Sequence, residues 1–292
     1  MKKVRETGMS RQARSKIPTA SRLPFDYDET LTLQIENLGL SHHLEELQQQ
    51  GYTIVPDIAD VAFNTRLRQT CLRLAQDTEG TAKGHSAALL LGRDPIFEEV
   101  VLNPRLLTMV EVMCGKGALL SQLICSIRPQ GSPALGLHAD QNWLPAPFPI
   151  HNQLFTMCWA MDEFSEQAGS TKVIPGSHVH RRHPDAQEIV DEPGAIPATA
   201  DANSLVCWDG SIWHGNYPRN LPGDRVVLHI TFSRLALRPV ENYDHLDESW
   251  LESRAPEFSV MLGREDFLGS TTIARGSADY SKIPRTFTWA KT

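Results

Sequence analysis

The chain has no apolar run of 18 residues and no basic leader followed by a short apolar stretch, so neither a membrane span nor secretion is expected. Cysteine is sparse. The five thiols, Cys71, Cys114, Cys125, Cys158 and Cys207, are odd in number, far apart and mostly set in apolar runs. They form no Cys-x-x-Cys pair, which argues against a zinc ribbon, and their spacing does not suggest a disulfide framework. Buried thiols in a reducing compartment fit best, and the cytoplasm is the expected location. A basic surplus is also missing: 35 acidic against 28 basic residues leave a net charge of −7. Phosphate recognition needs clustered cations, so nucleic acid is not the expected partner. The one basic region is residues 1–24, where Lys2, Lys3, Arg5, Arg11, Arg14, Lys16 and Arg22 face only Glu6. A flexible, solvated tail is expected there, since the segment is acid-poor like a transit peptide but has no clear apolar face.

What the chain does have is the composition of a globular enzyme, 41 % apolar and 22 % charged, long enough to bury a sizeable core. Residues 25–292 read as a single domain without internal repeats. Its first third reads helical. Ser41 precedes Leu44 and Leu47 in a run closed by Gly51, and Asp60 opens a segment in which Phe63, Leu67, Cys71 and Leu74 recur at helical spacing. Asn103-Pro104 begins a third, closed by Gly115. Beyond residue 118 the pattern changes to short β-branched and aromatic runs: Leu119 to Ile127, Leu154 to Met161, Ser204 to Trp208 and Val226 to Ser233. In the last of these Val226, Leu228, Ile230 and Phe232 alternate with Val227, His229, Thr231 and Ser233, so one side faces a core or cavity. Helices first and strands after suggest a mainly β jelly roll with helices packed outside.

The chemistry is concentrated in a few residues. His138 and Asp140 are two apart, and on an extended chain such residues project to the same side. His214 follows 74 positions after the aspartate and Arg225 eleven further on. Two histidines and one carboxylate can cap one face of a non-haem Fe(II), leaving positions open for a co-substrate and O2. An arginine beyond the second histidine can grip a carboxylate with two prongs. The bland alternatives remain open at this level. Asp140 beside Gln141-Asn142 suits a turn, and Arg225 after Gly223-Asp224 suits a solvated hairpin.

Two longer segments carry a resemblance. Ala168-Gly169-Ser170-Thr171-Lys172-Val173-Ile174-Pro175-Gly176-Ser177-His178, and Trp208 to Arg234 with Trp213-His214-Gly215-Asn216 and Arg225 inside it, strongly resemble the phytanoyl-CoA dioxygenase family of Fe(II)/2-oxoglutarate-dependent oxygenases. Arg234, Arg238, Glu241 and Asn242 resemble a pattern of many microbial members. The resemblance implies a double-stranded β-helix with His138, Asp140 and His214 on the iron and Arg225 anchoring 2-oxoglutarate. It also implies Thr171 as a hydrogen-bonding partner of the co-substrate carboxylate, and Gln122 as a further polar contact. The chain departs from the family just before the first histidine, where many relatives carry a glutamine and this sequence reads Leu135-Gly136-Leu137.

The reaction this implies is oxidation, by default hydroxylation, of a C–H bond with release of succinate and CO2. Trp143, Phe148, Trp159 and Trp213 flank the ligands and are candidates for an apolar substrate pocket. The stretch Trp143 to Asn152, with three prolines, is a candidate lid. No lysine or arginine run suits a coenzyme A phosphate, so a free small molecule, such as a specialised-metabolism intermediate, is the expected partner. The rivals are a non-catalytic jelly-roll metal-binding protein, against which Arg225 argues, and a zinc or nickel cupin enzyme using the same ligands. Asp209 is a candidate for orienting His214 or its loop, whereas His42, His43, His151, His180, His183, His229 and His245 read as ordinary surface or strand histidines.

Overall fold

A computed structural model describes residues 29–266 and 269–270, apart from 77, 79, 82 and 83. The basic tail, 1–24, lies outside the described residues. Each element starts where its local chemistry allows. After α1 (Glu29–Asn37) and α2 (Ser41–Gln50), Gly51 closes the second helix at φ 82°, a left-handed value that glycine takes freely. Ser41 is the first helical residue rather than the cap, because Leu40 holds the cap position without a side-chain bond. β1 (Tyr52–Val55) follows, then α3 (Val61–Ala75), whose cap Asp60 accepts from Phe63 N at 2.6 Å. After β2 (His85–Ala87) come α4 (Pro95–Val101) and α5 (Pro104–Cys114). Both carry proline in the first turn, where no amide proton is needed, behind a capping Asp94 or Asn103.

The next eight strands are β3 (Leu119–Arg128), β4 (Leu135–His138), β5 (Leu154–Ala160), β6 (Thr171–Val173), β7 (Ile196–Pro197), β8 (Ser204–Asp209), β9 (His214–Asn216) and β10 (Arg225–Ser233). They form a large antiparallel sheet, β1-β8-β5-β10-β3-β2, and a small one, β4-β9-β6-β7. The architecture is the expected jelly roll with flanking helices. Four of the strands match the sequence expectation to within a residue. The strands that it did not anticipate are those of two to four residues, which are too short to show a period of two. One of these, β1, interrupts the helical first third and forms an edge of the large sheet.

The large sheet buries apolar side chains on both faces, with the polar Thr156, His229 and Thr231 on the inward one, and each face meets different partners. Outward, Leu123, Met157, Trp159, Leu228 and Ile230 pack against Leu67 and Cys71 of α3, Phe97 of α4 and Met109 of α5, all buried. Each such side chain withdrawn from water contributes about 1.5–3 kcal/mol. Inward, Ala160, Val206, Val227 and Trp208 meet Val173 of the small sheet and Phe164. A third cluster, Leu137, Ala139, Phe148, Ile174 and Trp213, lies behind β4. No described helix is long and apolar enough to cross a membrane.

Candidate active site

Between the sheets lies a cavity of about 360 Å³. The ladder registers arrange its floor in rows across the large sheet. One row runs Gln122, Thr231, Thr156, Trp208, and the next, about 7 Å further along the strands, runs Ile124, His229, Cys158, Val206. Two rows beyond, Arg128 lies opposite Arg225. The small sheet supplies the roof: His138 pairs with His214, Val173 with His214, and Thr171 with Asn216. Gly215 is required between the roof residues, since a Cβ there would stand 2.3 Å from the Leu135 carbonyl oxygen of the neighbouring strand.

The structure brings His138, Asp140 and His214 together, with one ligand atom from each lying within 4.8 Å of the others. Their orientation follows from bonds on their far sides. His138 Nδ1 is 3.0 Å from the Gly136 carbonyl and His214 Nδ1 is 3.2 Å from the Ile212 carbonyl. A carbonyl only accepts, so both Nδ1 atoms carry a proton, and in the neutral imidazoles both Nε2 atoms keep a free lone pair. Those lone pairs face Asp140 Oδ1, at 3.8 Å from His138 and 3.4 Å from His214. Asp140 is turned in the same manner, because its Oδ2 accepts from Thr156 Oγ1 at 2.8 Å and from Trp208 Nε1 at 3.0 Å. Two imidazole nitrogens and one carboxylate oxygen thus converge with their outer atoms already satisfied, an arrangement that fits a divalent transition metal.

The electrostatics agree with that fit. Burial alone would raise the Asp140 pKa, but His214, His138 and the Thr156 hydroxyl hold it well below the usual carboxylate range. Burial and then His214 lower His138, while at His214 the attraction of Asp140 outweighs burial and raises it. The backbone positions follow from the turn at 209–213. Asp140 N donates to the Gly210 carbonyl at 2.9 Å, and the buried Gln141 reaches Ser211 Oγ at 3.2 Å. Asp209 accepts from Ser211 N at 2.8 Å, so it shapes the turn that presents His214.

Other residues singled out in the sequence fall in several places. Thr171, Gln122 and Trp143 line the cavity. Arg225 is 1 % exposed, which removes the solvated-hairpin reading. Its Nη1 donates to the Gly169 carbonyl, its guanidinium carbon lies 4.8 Å from the centre of the Phe164 ring, and its Nε has no partner. None of the ion pairs among the described residues includes it, and burial, then Arg128, pushes its pKa down to about 10. Three of the four aromatic candidates do not line the cavity. Trp159 points to the outer face of β5, where it packs in the main core and donates to Asn64 Oδ1 at 3.1 Å. Phe148 and Trp213 are buried behind β4, and the Trp213 indole donates to the Arg182 carbonyl at 2.8 Å. In each case the strand alternation or the loop path turns the ring away from the cavity. The stretch Trp143 to Asn152 is held at its centre, with Phe148 N bonded to the Arg181 carbonyl at 2.7 Å.

The sequence reading missed Thr156, Trp208, Asn216 and Thr231 in the cavity, and it classed His229 as an ordinary strand histidine although it lines the floor. The alternation in β10 was the available signal, since it put His229 and Thr231 on the same side as Arg225. Arg234, Arg238, Glu241 and Asn242 lie outside the cavity lining. Glu241 ties the edge of the large sheet, accepting from Leu89 N at 2.8 Å and Leu123 N at 2.7 Å. His178 is buried in a turn, within 3.2 Å of the Gln48 carbonyl.

Comparison with known proteins agrees with this geometry. Dioxygenase af480 of Aspergillus fumigatus is 26 % identical over 172 residues, covering 58 % of this chain and 55 % of its own length. Dioxygenase cdmA of Talaromyces verruculosus is 26 % identical over 266 residues, covering 83 % and 89 %. Among solved structures, HygX from Streptomyces hygroscopicus with nickel and 2-oxoglutarate bound superposes at a TM-score of 0.60 with 16 % identity, over 72 % of this chain and 93 % of its own. Apo EctD from S. alaskensis superposes at 0.59 with 18 % identity, over 69 % and 79 %. The family model for phytanoyl-CoA dioxygenase matches residues 47–225, a span that begins before the first sheet strand and takes in all three converging ligand residues and Arg225. The chain belongs to the phytanoyl-CoA dioxygenase family.

Proposed function

We propose that the chain is an Fe(II)/2-oxoglutarate-dependent dioxygenase that hydroxylates a C–H bond of a small, largely apolar molecule in the cytoplasm. The observation that carries this reading is the pairing of a residue set in the cavity with a second feature beyond it along the same sheet face. A two-histidine, one-carboxylate set has its free lone pairs turned inward, and a buried arginine without an acidic partner lies further along the same strand face. A metal-binding protein without a dicarboxylate co-substrate has no use for the second feature, because an unpaired buried cation is costly.

His138, Asp140 and His214 would hold the iron, and Arg225 with Thr171 would hold the distal carboxylate of 2-oxoglutarate. Iron, 2-oxoglutarate and O2 together supply the oxidising power to break an unactivated C–H bond, with succinate and CO2 as co-products. The protein's part is to hold the carboxylate and both imidazoles in fixed rotamers, and to orient the target carbon. Among the described lining residues the only carboxylate is Asp140, and there is no lysine or arginine. The rest of the wall combines Leu135, Trp143, Leu154 and Val240 with the neutral polar groups of Gln122, Asn142 and Asn216. That mixture supports an uncharged substrate with an apolar face and one or two hydrogen-bonding groups, rather than an acyl-coenzyme A. All five cysteines are free and buried, which supports a reducing compartment.

Anaerobic titration of the Fe(II)-loaded protein with 2-oxoglutarate tests the reading. A weak visible charge-transfer band is expected in the wild type, and Arg225→Ala is expected to need about 10- to 100-fold more co-substrate, as for loss of a hydrogen-bonded charge pair. Iron bound without such a band would sink the proposal.

A further inference from the structure

The dicarboxylate reading leaves one stretch of the cavity unaccounted for, and any role for that stretch in holding the co-substrate rests on the same reading. A molecule reaching from the converging residues toward Arg225 must cross two rows of the large sheet, and the first of them carries His229 and Cys158 as its polar side chains. The cavity lining includes His229 but stops short of Arg225. His229 Nδ1 lies 3.1 Å from Cys158 Sγ, and among the described residues its Nε2 has no partner.

The protonation pattern of this pair follows from its neighbours. Burial raises the Cys158 pKa far above its usual range, so the sulfur keeps its proton. Burial, with Arg225 adding to it, pushes His229 down to about 4, so the imidazole is neutral near pH 7. With the sulfur protonated and the imidazole neutral, the Cys158 S–H donates to His229 Nδ1. That leaves an N–H on Nε2, the free ring nitrogen of a side chain that borders the cavity. Among the described residues no acceptor contests that proton.

We infer that His229 is a co-substrate-binding residue, a neutral donor locked by Cys158 that grips the distal carboxylate of 2-oxoglutarate beside Arg225 and Thr171. It takes on part of the anchoring in a chain that carries Leu135-Gly136-Leu137 where many relatives have a glutamine.

The test is calorimetric titration of the Mn(II)-loaded protein, which does not turn over, with 2-oxoglutarate and with 2-oxobutyrate, which lacks the distal carboxylate. His229→Leu removes the donor and His229→Gln keeps an N–H at about the same reach. For 2-oxoglutarate, His229→Leu is expected to weaken binding about 10- to 100-fold, His229→Gln to recover most of that, and 2-oxobutyrate to bind both variants like the wild type. Equal weakening of both ligands, or no weakening of either, would overturn the assignment while leaving the dioxygenase reading intact. Wild-type protein that takes up Mn(II) but neither 2-oxo acid would overturn both. Should His229→Leu fail to fold, Cys158→Ala serves instead. Freeing the ring to rotate is expected to weaken 2-oxoglutarate several-fold with no effect on 2-oxobutyrate, and unchanged 2-oxoglutarate binding would count against the lock.

Discussion

The two faces of β10 carry opposite kinds of side chain. Val226, Leu228, Ile230 and Phe232 point outward and are at most 1 % exposed, in a core shared with the helices. Arg225, His229 and Thr231 point inward, toward the small sheet. The outward face is non-directional, since any well-packed apolar set would stabilise it. The inward face is directional, and its polar groups are tolerated because most have a specific partner: His229 with Cys158, Thr231 with Thr156 at 3.3 Å, and Arg225 in part with Gly169. One strand therefore carries stability on one side and chemistry on the other, and the two should respond separately to substitution.

The sharpest break between them is expected at the ligands. Asp140→Ala should abolish 2-oxoglutarate-dependent succinate release and metal uptake. By urea denaturation it should cost no more than about 1–3 kcal/mol of stability, the penalty for stranding the Thr156 and Trp208 donors. The mirror experiment is Leu228→Ala on the outward face, expected to cost about 2–5 kcal/mol while leaving metal affinity of the folded protein unchanged. Loss of metal affinity there would mean that the two faces are not separable. Trp208→Phe keeps the ring but removes the donor to Asp140. Metal affinity, read by competition with a chelating dye, is expected to fall about 10- to 100-fold, with little change in the denaturation midpoint.

The remaining effect is electrostatic and shows only when pH is varied. His229 titrates at about 4 in the folded chain against 6.5 as the ordinary value, so the unfolded state takes up a proton first as pH falls. The neutral His229 thus stabilises fully above pH 6.5, and its contribution is lost between pH 6.5 and 4, at no more than about 1.4 kcal/mol per pH unit. Denaturation midpoints across that window should fall more steeply in the wild type than in His229→Gln.

How much of this was legible in the sequence depends on how local each signal is. Strands of six residues or more showed their alternation, whereas two- to four-residue strands such as β6 and β9 have no period to read. His138 and Asp140 declared themselves by adjacency, and the joint presence of His214 and Arg225 at family spacing joined them into one site. Trp208 and Thr156 were invisible because their role is to hydrogen-bond Asp140 across 68 and 16 residues, a relation that no spacing rule encodes. Three of the four aromatic candidates, Phe148, Trp159 and Trp213, lie outside the cavity lining for the converse reason. Nearness in sequence to a ligand says little about facing, since one step along a strand reverses the side on which a ring lies.

By itself, then, the sequence determined the fold class, the family and the residue types able to hold a metal and a carboxylate, because these rest on periodicity and on motifs that are short along the chain. Only the tertiary structure decided which nitrogen of each histidine is free, which oxygen of Asp140 faces inward, that Arg225 is buried without an acidic partner, and that His229 lines the cavity. Those are properties of cross-strand register and of partners brought from distant segments, and they exist only once the two sheets have closed on each other.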